Sequence, residues 1–251
     1  MALSKKELRE YLDFKTQQYN TRDFIDSDPI KLPHRFAQKE DIEIVAFLVS
    51  TIAWGNRTMI IKSGERLLNI MGNDPYNFIL HYEATKHLDF VHRTFNGVDL
   101  DFFFRSLKNI YATGGLEKAF SPHAEFPGVK GRIIQFRTQF LTVEHEKRSE
   151  KHISNPAKNS ASKRLNMFLR WMVRKDQMGV DFGIWKSIST SELYIPLDIH
   201  TSKNARALGL ITRKQDDWKA LDELMENLHE FDSNDPSKYD FALFGIGAFE
   251  K

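Results

Sequence analysis

One aspartate sits where a carboxylate is easily put to work. In Ile195-Pro196-Leu197-Asp198-Ile199-His200-Thr201 it follows a proline turn and precedes the start of a helix. There it can accept hydrogen bonds from the first amides of that helix, and its charge suits the positive end of the helix dipole. On that reading Asp198 is a cap. At the mouth of a cleft the same carboxylate could orient a nucleophile or steady a developing cation. The two readings are compatible, because a cap holds a carboxylate rigidly.

The cations are gathered into one stretch. From Lys130 to Lys175 there are 12 Lys/Arg against 3 Asp/Glu, while the chain as a whole carries a net charge of only +2. The stretch from Lys214 to the end is the reverse, with 4 basic and 10 acidic residues. A basic segment of this kind fits a phosphate backbone, whose neutralisation releases condensed counterions. Lys163, Arg170 and Arg174 share one face at helical spacing, which would let a helix track phosphates with Lys163 leading. A solvated charged face is the competing reading.

The elements that must position these residues are helical. Ser4 and Glu7 form a capping-box signature ahead of Leu8, Tyr11 and Leu12. Val45 to Ile52 is apolar nearly all round and belongs in a core. Further stripes run through Ile60–Met71, Phe103–Tyr111, Ile133–Val143, Leu165–Met172 and Trp218–Leu228. A short helix is expected from Ile199 to Leu208, stopping at Gly209, and Asp235-Pro236 opens the last one. Residues 144–162 are polar and read as an exposed loop. With no sustained period-2 run, the chain reads as all-α with about nine helices. It is expected to form one two-lobed helical unit, with approximate lobes 40–165 and 1–39 plus 166–251.

Here the residues resemble a known family. Pro196, Asp198, His200, Leu208, Gly209 and Leu210 fall in register with the Pro-Val-Asp-x-His-Val…Arg-Leu-Gly-Leu signature of the helix-hairpin-helix (HhH-GPD) DNA glycosylases. Val45-Ala46-Phe47-Leu48-Val49-Ser50 resembles that family's buried early helix, and Asp240-Phe241-Ala242-Leu243-Phe244-Gly245-Ile246-Gly247 its closing helix and glycine turn. The whole pattern looks closest to an uncharacterised bacterial family related to the archaeal 8-oxoguanine glycosylase branch. Three departures stand out. The family's Ser-Gln-Gln-Thr is replaced by Ser50-Thr51-Ile52-Ala53. Lys203 and Ala207 stand where arginines are common. The usual Leu-Pro-Gly-Val-Gly hairpin is replaced by Asn159-Ser160-Ala161-Ser162, without glycine.

The resemblance implies a DNA glycosylase and lyase whose lysine, at the start of the helix after the hairpin, attacks the sugar C1′ and forms a Schiff base. Lys163 is the candidate, 35 residues before Asp198. It implies double-stranded DNA with a lesion, plausibly an oxidised purine, as partner, with the cleft between lobes lined by Lys163 and Asp198. Arg164, Arg170, Arg174, His200 and Lys203 become candidate DNA contacts. Trp54, Asn56 and Arg57, close to the missing glutamine, become candidates for a base pocket, since such enzymes extrude their target nucleotide. Lys163 also reads as an exposed lysine on phosphate or solvent, His200 as packing beside the turn, and Trp54, Trp171 and Trp185 as core.

Composition removes other chemistries. Zero cysteines exclude disulfides, thiolate nucleophiles and an iron–sulfur cluster. His34, His81, His87, His92 and His123 show no metal-ligand spacing, and no cofactor is implied beyond the monovalent cation that some hairpins of this superfamily hold on backbone carbonyls. No apolar window is long enough for a membrane span. Met1-Ala2-Leu3-Ser4-Lys5-Lys6 lacks a secretory stretch, so a cytoplasmic protein is expected, with no protein partner implied. A second class stays open: a non-catalytic nucleic-acid-binding module on the same scaffold. A third is that scaffold with an unrelated small-molecule or protein-binding role.

Overall fold

The computed structural model describes residues 3–85 and 88–250; Met1, Ala2, Lys86, His87 and Lys251 lie outside the described residues. Apart from a two-stranded hairpin, the regular structure is helical, in two compact units. One holds residues 1–26 and 156–251, the other residues 27–155. These bounds differ from the expected lobes: the 27–39 segment belongs with the central unit, and 156–165, including Lys163, with the terminal one.

The terminal unit begins with α1 (Lys5–Tyr19) and α2 (Arg22–Ser27). The Ser4–Glu7 capping box forms as its residues demand, each side chain bonding the other's backbone amide.

The central unit contains α3 (Lys39–Thr51), α4 (Arg57–Ile70), α5 (Pro75–His81), the hairpin β1 (Val91–His92) and β2 (Phe95–Asn96), α6 (Gly97–Ala112), α7 (Leu116–Ala119) and α8 (Gly128–Phe140). Every residue of α3 from Ile42 to Thr51 is buried, as its all-round apolar surface requires. Phe47 of α3 packs on Phe103 of α6 and on Phe136 and Phe140 of α8, with ring centroids 5.4–5.9 Å apart. Each such pair adds roughly 0.5–1.5 kcal/mol beyond its area burial.

The polar segment 144–162 is not the exposed loop expected. Ser149, His152 and Ile153 are buried, because their partners are buried too. Asp99, fully enclosed on α6, accepts from the Ser149 hydroxyl at 2.6 Å, from Arg148 at 3.0 Å and from the Asn96 amide at 3.0 Å. His152 Nε2 lies 3.4 Å from its other side. Burial pushes the Asp99 carboxyl up, but the nearby His152 imidazole and the bonds from Ser149 and Asn96 outweigh it and hold the group at about 2.

The chain then returns to the terminal unit through α9 (Lys163–Val173), α10 (Ile199–Ala207), α11 (Trp218–Phe231) and α12 (Tyr239–Phe249). Both α1 and α10 pack on α12. Gly247 allows the second contact, since a Cβ there would fall 2.8 Å from His200 Cβ. The short helices α2, α5 and α7 are additions to the expected set.

Candidate active site

Asp198 is the N-cap of α10, and its Oδ1 accepts from the Thr201 amide at 2.8 Å. Its Oδ2 faces Lys163, whose Nζ is 3.6 Å away. One oxygen therefore fixes the carboxylate and the other meets the lysine. Asp198 is 14% exposed and Lys163 37%, so solvent and any incoming ligand can reach the ammonium.

Lys163 is delivered by the turn ahead of α9. Asn159 and Ser162 there have positive φ, 65° and 48°, the left-handed region that favours glycine. The glycines of the resembled hairpin are absent, yet the backbone turns as if two were present. Contacts to the start of α11 hold it there. Asn159 Nδ2 donates to Asp217 at 2.7 Å, and the Trp218 amide donates to the Asn159 carbonyl at 3.0 Å. Asp217 is itself the N-cap of α11 and bonds Arg213.

Arg170 and Arg174 are not on a phosphate-facing surface. They are only 4% and 2% exposed. Arg170 donates to Asp181 at 3.2 Å and also to Asp240; Arg174 meets Asp181 at 3.1 Å, Asp176 at 2.8 Å and Asp235 at 3.0 Å. The physical reason is the surroundings of α9: every residue from Phe168 to Val173 is buried, so a cation there must be paired internally. Two cations of the basic segment are thus paired with the acidic tail inside the unit, Arg170 with Asp240 and Arg174 with Asp235. Arg164 is half-buried, and burial lowers its guanidinium to about 10. His200 and Lys203 are exposed on α10, beside Asp198; the His200 ring lies edge-on to Phe244 at 6.2 Å.

Asp240 is the residue the sequence reading missed. It is 5% exposed on α12, and burial pushes its carboxyl up to about 7; Asp198 and Asp181 push the same way, while Arg170 and Lys163 oppose. It thus lies within electrostatic reach of both members of the Lys163–Asp198 pair. The signal was present: a lone acid in the apolar run Tyr239-Asp240-Phe241-Ala242-Leu243-Phe244 must find a partner when buried.

The remaining candidates belong to the central unit. Trp54 is half-buried just after α3. Asn56 is the exposed N-cap of α4, accepting from the Met59 amide at 3.3 Å, and Arg57 is the half-buried first residue of that helix. Trp171 and Trp185 are core residues, 0% and 1% exposed.

A family described as "Protein of unknown function (DUF2400)" matches residues 28–249, nearly the whole chain. The chain belongs to this family. No curated protein and no solved structure matches it. For this family member, no helix among the described residues is long and apolar enough to cross a membrane. The chemistry available at the site is that of a reachable primary amine beside a fixed carboxylate, with a second, buried acid behind.

Proposed function

We propose that this protein is a DNA base-excision glycosylase with lyase activity, built on an HhH-GPD-like scaffold and acting in the cytoplasm on a damaged base, an oxidised purine being the first candidate. The observation that carries the reading is the 3.6 Å approach of Lys163 Nζ to Asp198 Oδ2 across two elements 35 residues apart. A lysine attacks only as the neutral amine, so the ammonium first gives up a proton. The amine then bonds to C1′ as the glycosidic bond breaks, and the bond's electron pair leaves with the base, which takes up a proton. The nitrogen carries two protons after the attack; one goes to the departing base and the other to O4′ as the C1′–O4′ bond opens, leaving an imine that joins Lys163 to C1′. Removal of a C2′ proton then expels the 3′ phosphate. Asp198, held by the Thr201 amide, steadies the cationic character that develops at C1′. His200 and Lys203, exposed on the same helix, and Arg164 supply phosphate contacts.

The test is borohydride trapping on duplexes carrying 8-oxoguanine, uracil or an abasic site. Wild type is expected to form a covalent adduct on at least one of them and Lys163→Gln none, with DNA binding retained. Asp198→Asn is expected to slow base release by at least about a hundredfold, as loss of an electrostatic stabiliser does. Equal trapping by wild type and Lys163→Gln would remove the lysine from the reaction. No adduct on any duplex, with binding intact, would favour the non-catalytic nucleic-acid-binding module.

A further inference from the structure

The first turn of α10 has its polarity reversed. Thr201 and Ser202 are 0% and 3% exposed, whereas Ile199 is 78% exposed, the most open large apolar side chain among the described residues. Hydrophobic burial alone would arrange these three the other way round. The fold accounts for the two inner residues. The Thr201 amide holds Asp198 Oδ1 at 2.8 Å, and the Ser202 hydroxyl donates to Asp216 at 3.1 Å. It does not account for Ile199. This is the first residue of a nine-residue helix, where a β-branched side chain adds no helix propensity and an acid would suit the helix dipole better.

Single apolar side chains on a surface are ordinary, but this one adjoins the reacting pair. Side chains on a helix lean towards its amino terminus. Ile199 therefore projects past the start of α10, the end at which Asp198 Oδ2 meets Lys163 Nζ at 3.6 Å.

We propose that Ile199 selects the sugar at this site, packing on the C2′ methylene of a deoxyribose and disfavouring ribose. The inference rests on the Lys163 reading, which brings C1′ to the lysine nitrogen. Of the carbons in the sugar ring, C2′ of deoxyribose is the one that bears no oxygen or nitrogen. It is also bonded directly to C1′, so it is the apolar part of the nucleotide nearest the carbon under attack. A branched aliphatic group with no flat face suits a methylene better than a stacked base. In ribose the same carbon bears a hydroxyl, the group by which a protein tells RNA from DNA at a given position. Against Ile199 that hydroxyl would lose water and gain no hydrogen bond.

The test compares two duplexes of one sequence, each with an abasic site, whose sugar is deoxyribose in one and ribose in the other. Rates of borohydride trapping by the full chain are measured under single-turnover conditions. An apolar contact rejects an added hydroxyl by about a hundredfold at most, so wild type is expected to trap the deoxyribose site about ten- to hundredfold faster. The two sugars differ in intrinsic reactivity, which cancels when the ratio of rates is compared between proteins. Ile199→Ser is expected to lower that ratio about tenfold, and Ile199→Val to keep it within a few-fold of wild type. Substitutions at so exposed a position seldom disturb folding, and the Val variant carries the comparison if the Ser variant does. An unchanged ratio in Ile199→Ser, or wild-type trapping of the ribose site as fast as the deoxyribose site, would overturn the sugar selection and leave Lys163 as the nucleophile. No adduct of wild type on the deoxyribose duplex would overturn the Lys163 reading and this inference with it.

Discussion

The two ends of α9 carry the same kind of charge in opposite settings. At its start Lys163 is 37% exposed and meets one carboxylate across 3.6 Å. At its end Arg170 and Arg174 are buried and share four carboxylates, Asp176, Asp181, Asp235 and Asp240. The four acids do not respond alike: Asp176, bonded by Asn20 and Arg174, is lowered despite its partial burial, while two others are raised. Burial pushes Asp235 up, and Asp240 up to about 7. Periodicity alone puts the three cations on one face, but it does not say what covers that face. The covered cations hold the unit together; the uncovered one is available for chemistry.

The comparison breaks first at Arg170. Arg170→Ala strands Asp181 and Asp240 without that partner, and loss of about 3–5 kcal/mol in urea unfolding is expected, typical of breaking a buried pair. A change under about 1 kcal/mol would mean that the network is not structural.

Asp240→Asn sharpens the comparison through pH. The folded carboxyl titrates near 7 against an ordinary value of 3.8, so between roughly pH 4 and 7 the folded chain keeps a proton that the unfolded chain has released. Its contribution is therefore most favourable below about pH 4 and is lost as pH rises through 7. Asp240→Asn is expected to flatten that part of the stability profile, and an unchanged slope would contradict it. Asp99 in the central unit has the opposite sign: held at about 2, it contributes stability above about pH 4 that is lost as pH falls towards 2. Asp99→Asn is expected to weaken the acid-side loss.

The start of α9 gives the smallest effects on stability. Asp198→Ala removes a cap and is expected to cost about 1 kcal/mol. Lys163→Gln, in a partly exposed pair, is expected to change stability by less than about 0.5 kcal/mol. A large loss in Lys163→Gln would make this pair structural, like Arg170.

Legibility followed the same physics. The α3 core helix was readable because nearly every position is apolar, and Asp198 as a cap because proline turn, acid and helix start are contiguous. The short helices α2, α5 and α7, of 4–7 residues, are too brief to show a period. Segment 144–162 read as exposed because its residues are polar; Ser149 and His152 are buried on Asp99, a partner 50 or more residues away that composition cannot reveal. The same blindness placed Arg170 and Arg174 outside and passed over Asp240. The turn before α9 differs again: its residue types departed from the resembled hairpin, while Asn159 and Ser162 adopt the glycine-like backbone.

The most direct measurement is to reduce the protein with borohydride on a duplex containing an abasic site, digest the adduct and map the modified peptide by mass spectrometry. The account predicts a sugar-derived mass on Lys163, the first residue of α9, and on no other lysine. Modification of a different lysine, or of the amino terminus with Lys163 untouched, would contradict it.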